Sequence, residues 1–447
     1  MRPPRVTFIT HEATRTGAPR VLLTLMRWLK VNSNVEMSTL AVRPGPLLNE
    51  FAALGPLVEL DGDWRRLHLV QRGLRLANAL TADKDASATD SFVNRATGTA
   101  LWFANIRALD RLGRCDLVYA NSVQSGWGVR AIRSQAPVLS HIHELGDSLF
   151  APFERRNVEI MCGDAQEIVV PAQAVRDLLI SQLGIAGSRV SVQYPFIDVG
   201  AHAPNAAQRR AIRSDLEIPE DAVVVGMSGM LIMRKGADVL VQVAAKVLSA
   251  PSARPVYFAW IGGGRDTEYA RYLVEDIRRM GLEDRIRLIP EQADASPYLG
   301  ALDIFMLSSR SDPFPLVCLE AAVQAEAPIV CFADAGGMPE LVGSECGVVV
   351  PYLDTDAAAA AILGLVDDHD LRKRLGRNAA EAVRTRHDVS RTAPQIAALM
   401  NSVMSGRSAG PSARTLPAPE PVQHVVPALL QEGRHANGAT SPVHVNQ

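Results

Sequence analysis

Two doubly wound parallel-sheet domains are what this sequence predicts, on three observations. Short apolar runs alternate with helical-period segments over most of the chain, with short connections, the pattern of βα units building parallel sheets. At 447 residues the chain is too long for one ordinary core. Residues 194–205, YPFIDVGAHAPN, are rich in turn formers and lack apolar periodicity, which marks a crossing between domains. The expected class is α/β with two Rossmann-like domains. The first covers 1–195, interrupted by a polar insert at 82–98; the second covers 196–388; a terminal helix at 389–404 and a disordered tail at 405–447 follow.

In the first domain, strands are expected at Val6–Ile9, Ser38–Val42, Val58–Leu60, Asp116–Ala120, Val138–Ile142, Ile168–Val170 and Val190–Val192. The first runs into THEATRTGAPR and a helix whose Val21, Leu22, Leu25, Trp28 and Leu29 form one apolar face. The second domain opens with a helix at Ala206–Arg213 and a strand at Ala222–Met227. It continues through the runs PVYFAWI, RIRLI, DIFML, PIVCF and GVVV, each followed by a helical segment. Leu371–Thr385 and Ala393–Val403 read as terminal helices.

Composition narrows the function. A net charge of −2 argues against broad nucleic-acid binding, which needs a basic field. The five cysteines show no C-x-x-C pairing and several sit in apolar runs, so buried free thiols in a reducing compartment are expected. The N-terminus enters a strand without a leader-like apolar core, and no window approaches eighteen consecutive apolar residues, so a cytoplasmic protein is expected. One amphipathic stretch, 64–80, rings Leu67, Val70, Leu74 and Leu76 with arginines. It reads first as a solvated helix, and as the place for peripheral contact with the inner membrane face if the acceptor is lipid-linked.

The chemistry concentrates in loops outside the carboxyl ends of strands, where open α/β sheets bind ligands. In SSRSDPFPLVCLEAAV, Asp312 lies in the loop after a strand, and Glu320 lies one turn into the helix that Pro313 and Pro315 precede. Gly336 and Gly337 precede the helix of Glu340 and offer bare amides at its positive end. In GMLIMRKGADVL, Arg234 and Lys235 stand just before a helix, where cations and helix dipole could act together on a diphosphate or simply be solvated. Gly17 opens the first helix, His141, His143 and Glu144 follow PVLS, and Asn121-Ser122 ends DLVYA. Two histidines without a third ligand at sensible spacing do not make a zinc site. Gly262, Gly263 and Gly264 follow a strand, but the spacing fails G-x-G-x-x-G and no acidic ribose partner follows the next strand, which argues against a dehydrogenase.

Read in order over residues 5–400, these motifs resemble the retaining glycosyltransferases of family 4, which have the GT-B fold: two Rossmann-like domains facing across a cleft. The resemblance implies transfer of a hexosyl unit from a nucleoside-diphosphate sugar to a hydroxyl acceptor, a saccharide, lipid-linked saccharide or small molecule, with retention. It implies roles in polysaccharide biosynthesis and no bound cofactor or metal. Glu320 would accept from the ribose hydroxyls, and Asp312, where the family commonly has Glu, from the donor sugar. Arg234 and Lys235 would take the diphosphate; Gly17, Gly336 and Gly337 would let the backbone approach the donor; Gly263 would pack on the base side. His143 would orient the sugar, with Glu144 beside it. Met230 stands where the family often carries Arg, so either Arg234 substitutes or one phosphate contact is missing. A non-catalytic nucleotide-sugar-binding subunit and a sugar-nucleotide 2-epimerase remain as alternatives.

Overall fold

The computed structural model describes residues 2–60, 109–132, 136–151, 154–264 and 266–406. The expected insert at 82–98, the amphipathic stretch 64–80 and the tail beyond 406 lie outside these residues.

The described chain divides into two compact units. The first comprises residues up to Ala201, the short segment Ser311–Leu316 and the residues from Arg384 onward. The second comprises His202–Arg310 and Val317–Val383.

Among the described residues the first unit holds a seven-stranded sheet of order β3-β2-β1-β4-β5-β6-β7. Its strands are β1 (Arg5–Thr10), β2 (Glu36–Ala41), β3 (Leu57–Glu59), β4 (Leu117–Asn121), β5 (Val138–His141), β6 (Ala165–Val170) and β7 (Val190–Val192). All pairings are parallel. A parallel strand is covered on both faces, so near-continuous apolar runs such as VTFI and LVYA form it. Helix Gly17–Asn32 buries Val21, Leu22, Leu25 and Leu29 as its spacing predicts. Helix Val389–Met404 packs on that helix and on β4, β5 and β6 through Ile396, Leu399, Met400 and Val403.

The last helix, Val389–Met404, covers the 389–404 expected for it; its apolar pattern sets in at Ala393, and Asp388 caps the turn before by accepting from the Ser390 N–H.

The second unit's sheet has the order β10-β9-β8-β11-β12-β13. Its strands are β8 (Val223–Ser228), β9 (Val256–Ile261), β10 (Ile286–Ile289), β11 (Ile304–Leu307), β12 (Ile329–Phe332) and β13 (Gly347–Val350). Both sheets reverse direction of winding once, beside the central strand: between β1 and β4 in the first, and between β8 and β11 in the second. Those reversals open crevices at the carboxyl ends of the strands, the ordinary ligand position of such sheets.

Candidate active site

Each unit brings a set of the expected residues to its own switch point. In the first unit, β1 ends in His11-Glu12, β4 in Asn121-Ser122 and β5 in His141, with His143 two residues on. Asn121 Nδ2 donates to the Ala18 carbonyl at 3.0 Å, which turns its Oδ1 toward His143 Nε2 at 2.8 Å. An amide oxygen accepts only, so His143 carries its proton on Nε2 and presents a lone pair on Nδ1. Burial pushes His143 well below the ordinary histidine range, with the neighbouring His141 and His11 adding to the shift, so the ring is neutral.

The ring of His141 lies 3.9 Å from that of His143, centroid to centroid, as strand alternation predicts. His141 is itself buried, with Nδ1 2.7 Å from the Tyr119 hydroxyl, and burial lowers its pKa to about 3. Glu144 bends back on its own loop. Its carboxylate accepts from the Ser122 hydroxyl, from the Val123 N–H at 3.1 Å and from the His143 N–H at 2.9 Å. Ser122 adopts φ 76°, an uncommon conformation for a non-glycine residue, and these bonds hold it there. Glu144 therefore fixes the backbone from which His143 projects.

Gly17 begins its helix with open space where a Cβ would stand, so the fold does not itself demand glycine there. The preceding turn is tied by Glu12, which accepts from Thr14 Oγ1 at 2.7 Å and Thr16 Oγ1 at 3.1 Å. The hydrogen bond to His11 is the largest influence on Glu12; with those from the threonines it outweighs burial and lowers the pKa to about 2. Asp312 is buried, and its segment belongs to this unit: a Cβ built on Gly146 would stand 3.3 Å from Ser311 Oγ. Phe314, two residues further, stacks on His387 at 5.3 Å, and Tyr194 closes the aromatic group.

In the second unit the loop after β8 carries Arg234 and Lys235 in a 3₁₀ turn just before helix Ala237–Ser249. Three features lock that turn. Gly236 adopts φ 71°, and a Cβ there would meet the Ser308 carbonyl oxygen at 2.1 Å. Arg310, after β11, donates to both carboxylate oxygens of Asp238 at 2.9 and 2.7 Å and to the Met233 carbonyl at 2.8 Å, and its own N–H bonds the Arg234 carbonyl at 2.8 Å. Tyr269 donates to Asp238 at 2.7 Å. Burial alone would raise the Asp238 pKa, but the bonds from Arg310 and Tyr269 outweigh it and hold the pKa below the ordinary value.

The Lys235 stem runs past Gly229, whose Cβ position would lie at ordinary contact distance, 3.5 Å, from Lys235 Cδ. Gly262 and Gly263, at φ 110° and 81°, lie against Gly229 and Leu231, and Trp260 Nε1 donates to the Gly229 carbonyl at 3.0 Å. The glycine turn containing Gly263 thus braces the loop of Arg234 and Lys235. Glu320 is buried in helix Leu316–Ala325, one turn in. Gly336, at φ 144°, and Gly337 lead into the short helix Met338–Val342. Sequence reading missed Asp238, Tyr269, Arg310 and Trp260, which hold the loop, and Glu12, which holds the turn before Gly17. Glu12 and Arg310, just beyond β1 and β11, could have been flagged by those positions; Asp238 and Tyr269 lie in helices and Trp260 within β9, where no local pattern marks them.

The folds and loops just described define a two-unit sugar-transferring class. Residues 208–382 match the family described as "Glycosyl transferases group 1", and residues 88–201 match "Glycosyltransferase Family 4". The chain is 30% identical over 297 residues to a D-inositol 3-phosphate glycosyltransferase of Saccharomonospora viridis, covering 61% of this chain and 67% of that enzyme. It is 31% identical over 172 residues to the lipopolysaccharide core biosynthesis glycosyltransferase LpsE of Rhizobium meliloti, covering 38% of this chain and 47% of that protein. Its fold is similar to that of Anabaena Alr3699/HepE, solved in complex with UDP and glucose, with a TM-score of 0.71 at 20% identity over 89% of this chain and 99% of that one. Sucrose-phosphate synthase of Thermosynechococcus elongatus also gives a TM-score of 0.71, at 19% identity over 90% of this chain and 100% of that one. The chain belongs to glycosyltransferase family 4 and has the GT-B fold. Among the described residues no helix is long and apolar enough to cross a membrane.

Proposed function

We propose that the chain is a retaining hexosyltransferase that uses a nucleoside-diphosphate sugar and a hydroxyl acceptor. The observation that carries this reading is the locked loop at the second switch point. It holds Arg234 and Lys235 beside the amino end of a thirteen-residue helix, a setting suited to a diphosphate. As the glycosidic bond to the diphosphate breaks, negative charge grows on the leaving group. Preorganised cations stabilise that charge more than they stabilise the bound donor. With two cations at the phosphates, the electrostatic task of a divalent metal is already covered, so turnover is expected to survive chelation.

Glu320 takes the ribose hydroxyls in this reading, and Gly336-Gly337 the approach of the donor. The lone pair of neutral His143 accepts from a sugar hydroxyl, as does Asp312, so both orient the sugar. The UDP complex of the Anabaena protein makes uridine the first base to test, and the named relatives make sugar phosphates and lipopolysaccharide saccharides the first acceptors.

The test is incubation of the full chain with UDP-, GDP- and ADP-sugars and these acceptors, with the anomeric configuration of any product read by proton coupling. A glycoside that keeps the donor configuration supports the proposal. Inverted product removes retention, interconverted sugar nucleotide favours the epimerase, and nucleotide binding without transfer or donor hydrolysis favours a binding subunit.

A further inference from the structure

The second unit carries a cluster of cations at the end of its sheet opposite the locked loop. There the amino ends of β8 and β11 border a cavity of about 280 Å³. Its lining includes Arg209, Arg210, Arg213, Arg254, Arg372 and Lys373, six cations, against three carboxylates, Glu220, Asp221 and Asp303.

Asp303 serves as the internal counter-ion. It accepts from Arg209 at 2.6 Å, from Arg213 at 2.6 Å and from the Val224 N–H at 2.8 Å. The remaining contacts of these arginines are to neutral carbonyls: Arg213 reaches Ala301 and Ala222, Arg209 reaches Gly300 and Leu302, and Arg372 reaches Val366. Arg213 is 5% exposed and Arg372 4%. Carbonyls orient a guanidinium without cancelling its charge, and burying like charges together is costly. Burial and the positive charges of Arg254 and Arg209 press Arg372 toward losing its proton, against the pull of Asp303 and Asp368. Six cations against three carboxylates leave the lining with an excess of positive charge. Arg254, exposed, and Lys373, half-buried, extend it to the mouth.

We propose that this cavity binds a small multivalent oxyanion of the phosphate class, at a site separate from the donor loop. Arg213 commits its donors to the Ala301, Ala222 and Glu220 carbonyls and to Asp303, whereas Arg372 is held through Nη1 alone by the Leu365 and Val366 carbonyls, so its Nε–Nη2 edge stands as a preset fork, the geometry that phosphate oxygens match. The inference is independent of the proposed reaction.

The probe is inorganic pyrophosphate, titrated calorimetrically into the full chain, with sodium chloride at equal ionic strength as control. The double variant Arg254→Ala/Lys373→Ala leaves in place Arg213, which binds carbonyls just before β8 and β11, and Arg372, which binds carbonyls in the last turn of helix Thr355–Asp367. Its pyrophosphate affinity should fall at least about tenfold, because each lost charge-assisted bond is of that order. Lys235→Ala, at the other end of the sheet, should leave this binding in place. Arg210→Glu, on an exposed helical surface, gives a second reading in the same direction should the double variant fail to fold. Chloride matching the effect of pyrophosphate, or binding lost with Lys235→Ala and retained in the mouth variants, would overturn the proposal.

Discussion

Asn121 determines what His143 can do. Its amide is oriented by the Ala18 carbonyl, and through that orientation it assigns the imidazole proton to Nε2. His143→Ala should therefore cut turnover by about 10²–10³ while changing donor affinity far less, as expected for a group that matters most in the transition state. Steady-state kinetics with calorimetric donor binding check this. Asn121→Asp keeps an acceptor facing Nε2 and adds a negative charge, which raises the imidazole pKa. In the proposed reaction His143 acts as the neutral ring, so the acid limb of the rate profile should move to higher pH in this variant. An unmoved limb would exclude His143 as the group whose protonation is seen. Glu320→Ala should cost about 1.5–3 kcal/mol of nucleoside-diphosphate binding with the fold intact, and unchanged affinity would remove Glu320 from the site.

The loop of Arg234 and Lys235 is the most tightly held element at the second unit's switch point. It is held by residues from three places, Gly236 within it, Arg310 after β11 and Tyr269 in the helix after β9. Gly236→Ala adds a Cβ where 2.1 Å separates it from a backbone oxygen, at a φ that disfavours side chains. Urea unfolding should show a loss exceeding about 1 kcal/mol, since both strain and clash act. Arg310→Leu should instead leave the melting temperature nearly unchanged and weaken donor binding roughly tenfold. The Arg310–Asp238 pair is more than a quarter exposed and adds little to stability, but it positions the cations. The strands, the switch-point loops and the Arg234-Lys235 turn were legible because each is a local pattern: an apolar run, a glycine, a cation before a helix. The lock was not, because its members lie 31 to 77 positions apart and are chosen by the parallel pairing of β8, β9 and β11. The same holds for Asn121 and His143.

At the scale of the whole molecule, three histidines with lowered pKa make acid the weak point. His141 is lowered to about 3 and His387 to about 4, both chiefly by burial, and His143 also lies well below 6.5. Each is neutral when folded and binds a proton readily when unfolded. Stability is therefore fully present above about pH 6.5 and declines below it, by about 1.4 kcal/mol per pH unit for each histidine until the folded pKa is reached. Melting temperatures measured from pH 8 to pH 5 should fall on the acid side, and His387→Phe should flatten the decline. A stability independent of pH between 7 and 5 would show that these rings are not the controlling groups.

The first unit is assembled from both ends of the described chain, with helix Val389–Met404 laid across Gly17–Asn32 and the middle strands. A ribosome emits the chain in order. The apolar surface that this helix covers therefore waits uncovered until about 200 further residues have been made, on the order of tens of seconds at ordinary elongation speeds. During that interval the first unit is a sticky, unfinished intermediate and the second can already close on itself. A fragment ending at Ala201 should accordingly precipitate when produced alone, and supplying residues 384–406 as a separate peptide should restore solubility. Slow translation through the second unit, harmless to an uninterrupted domain, would here prolong exposure and raise the demand on chaperones.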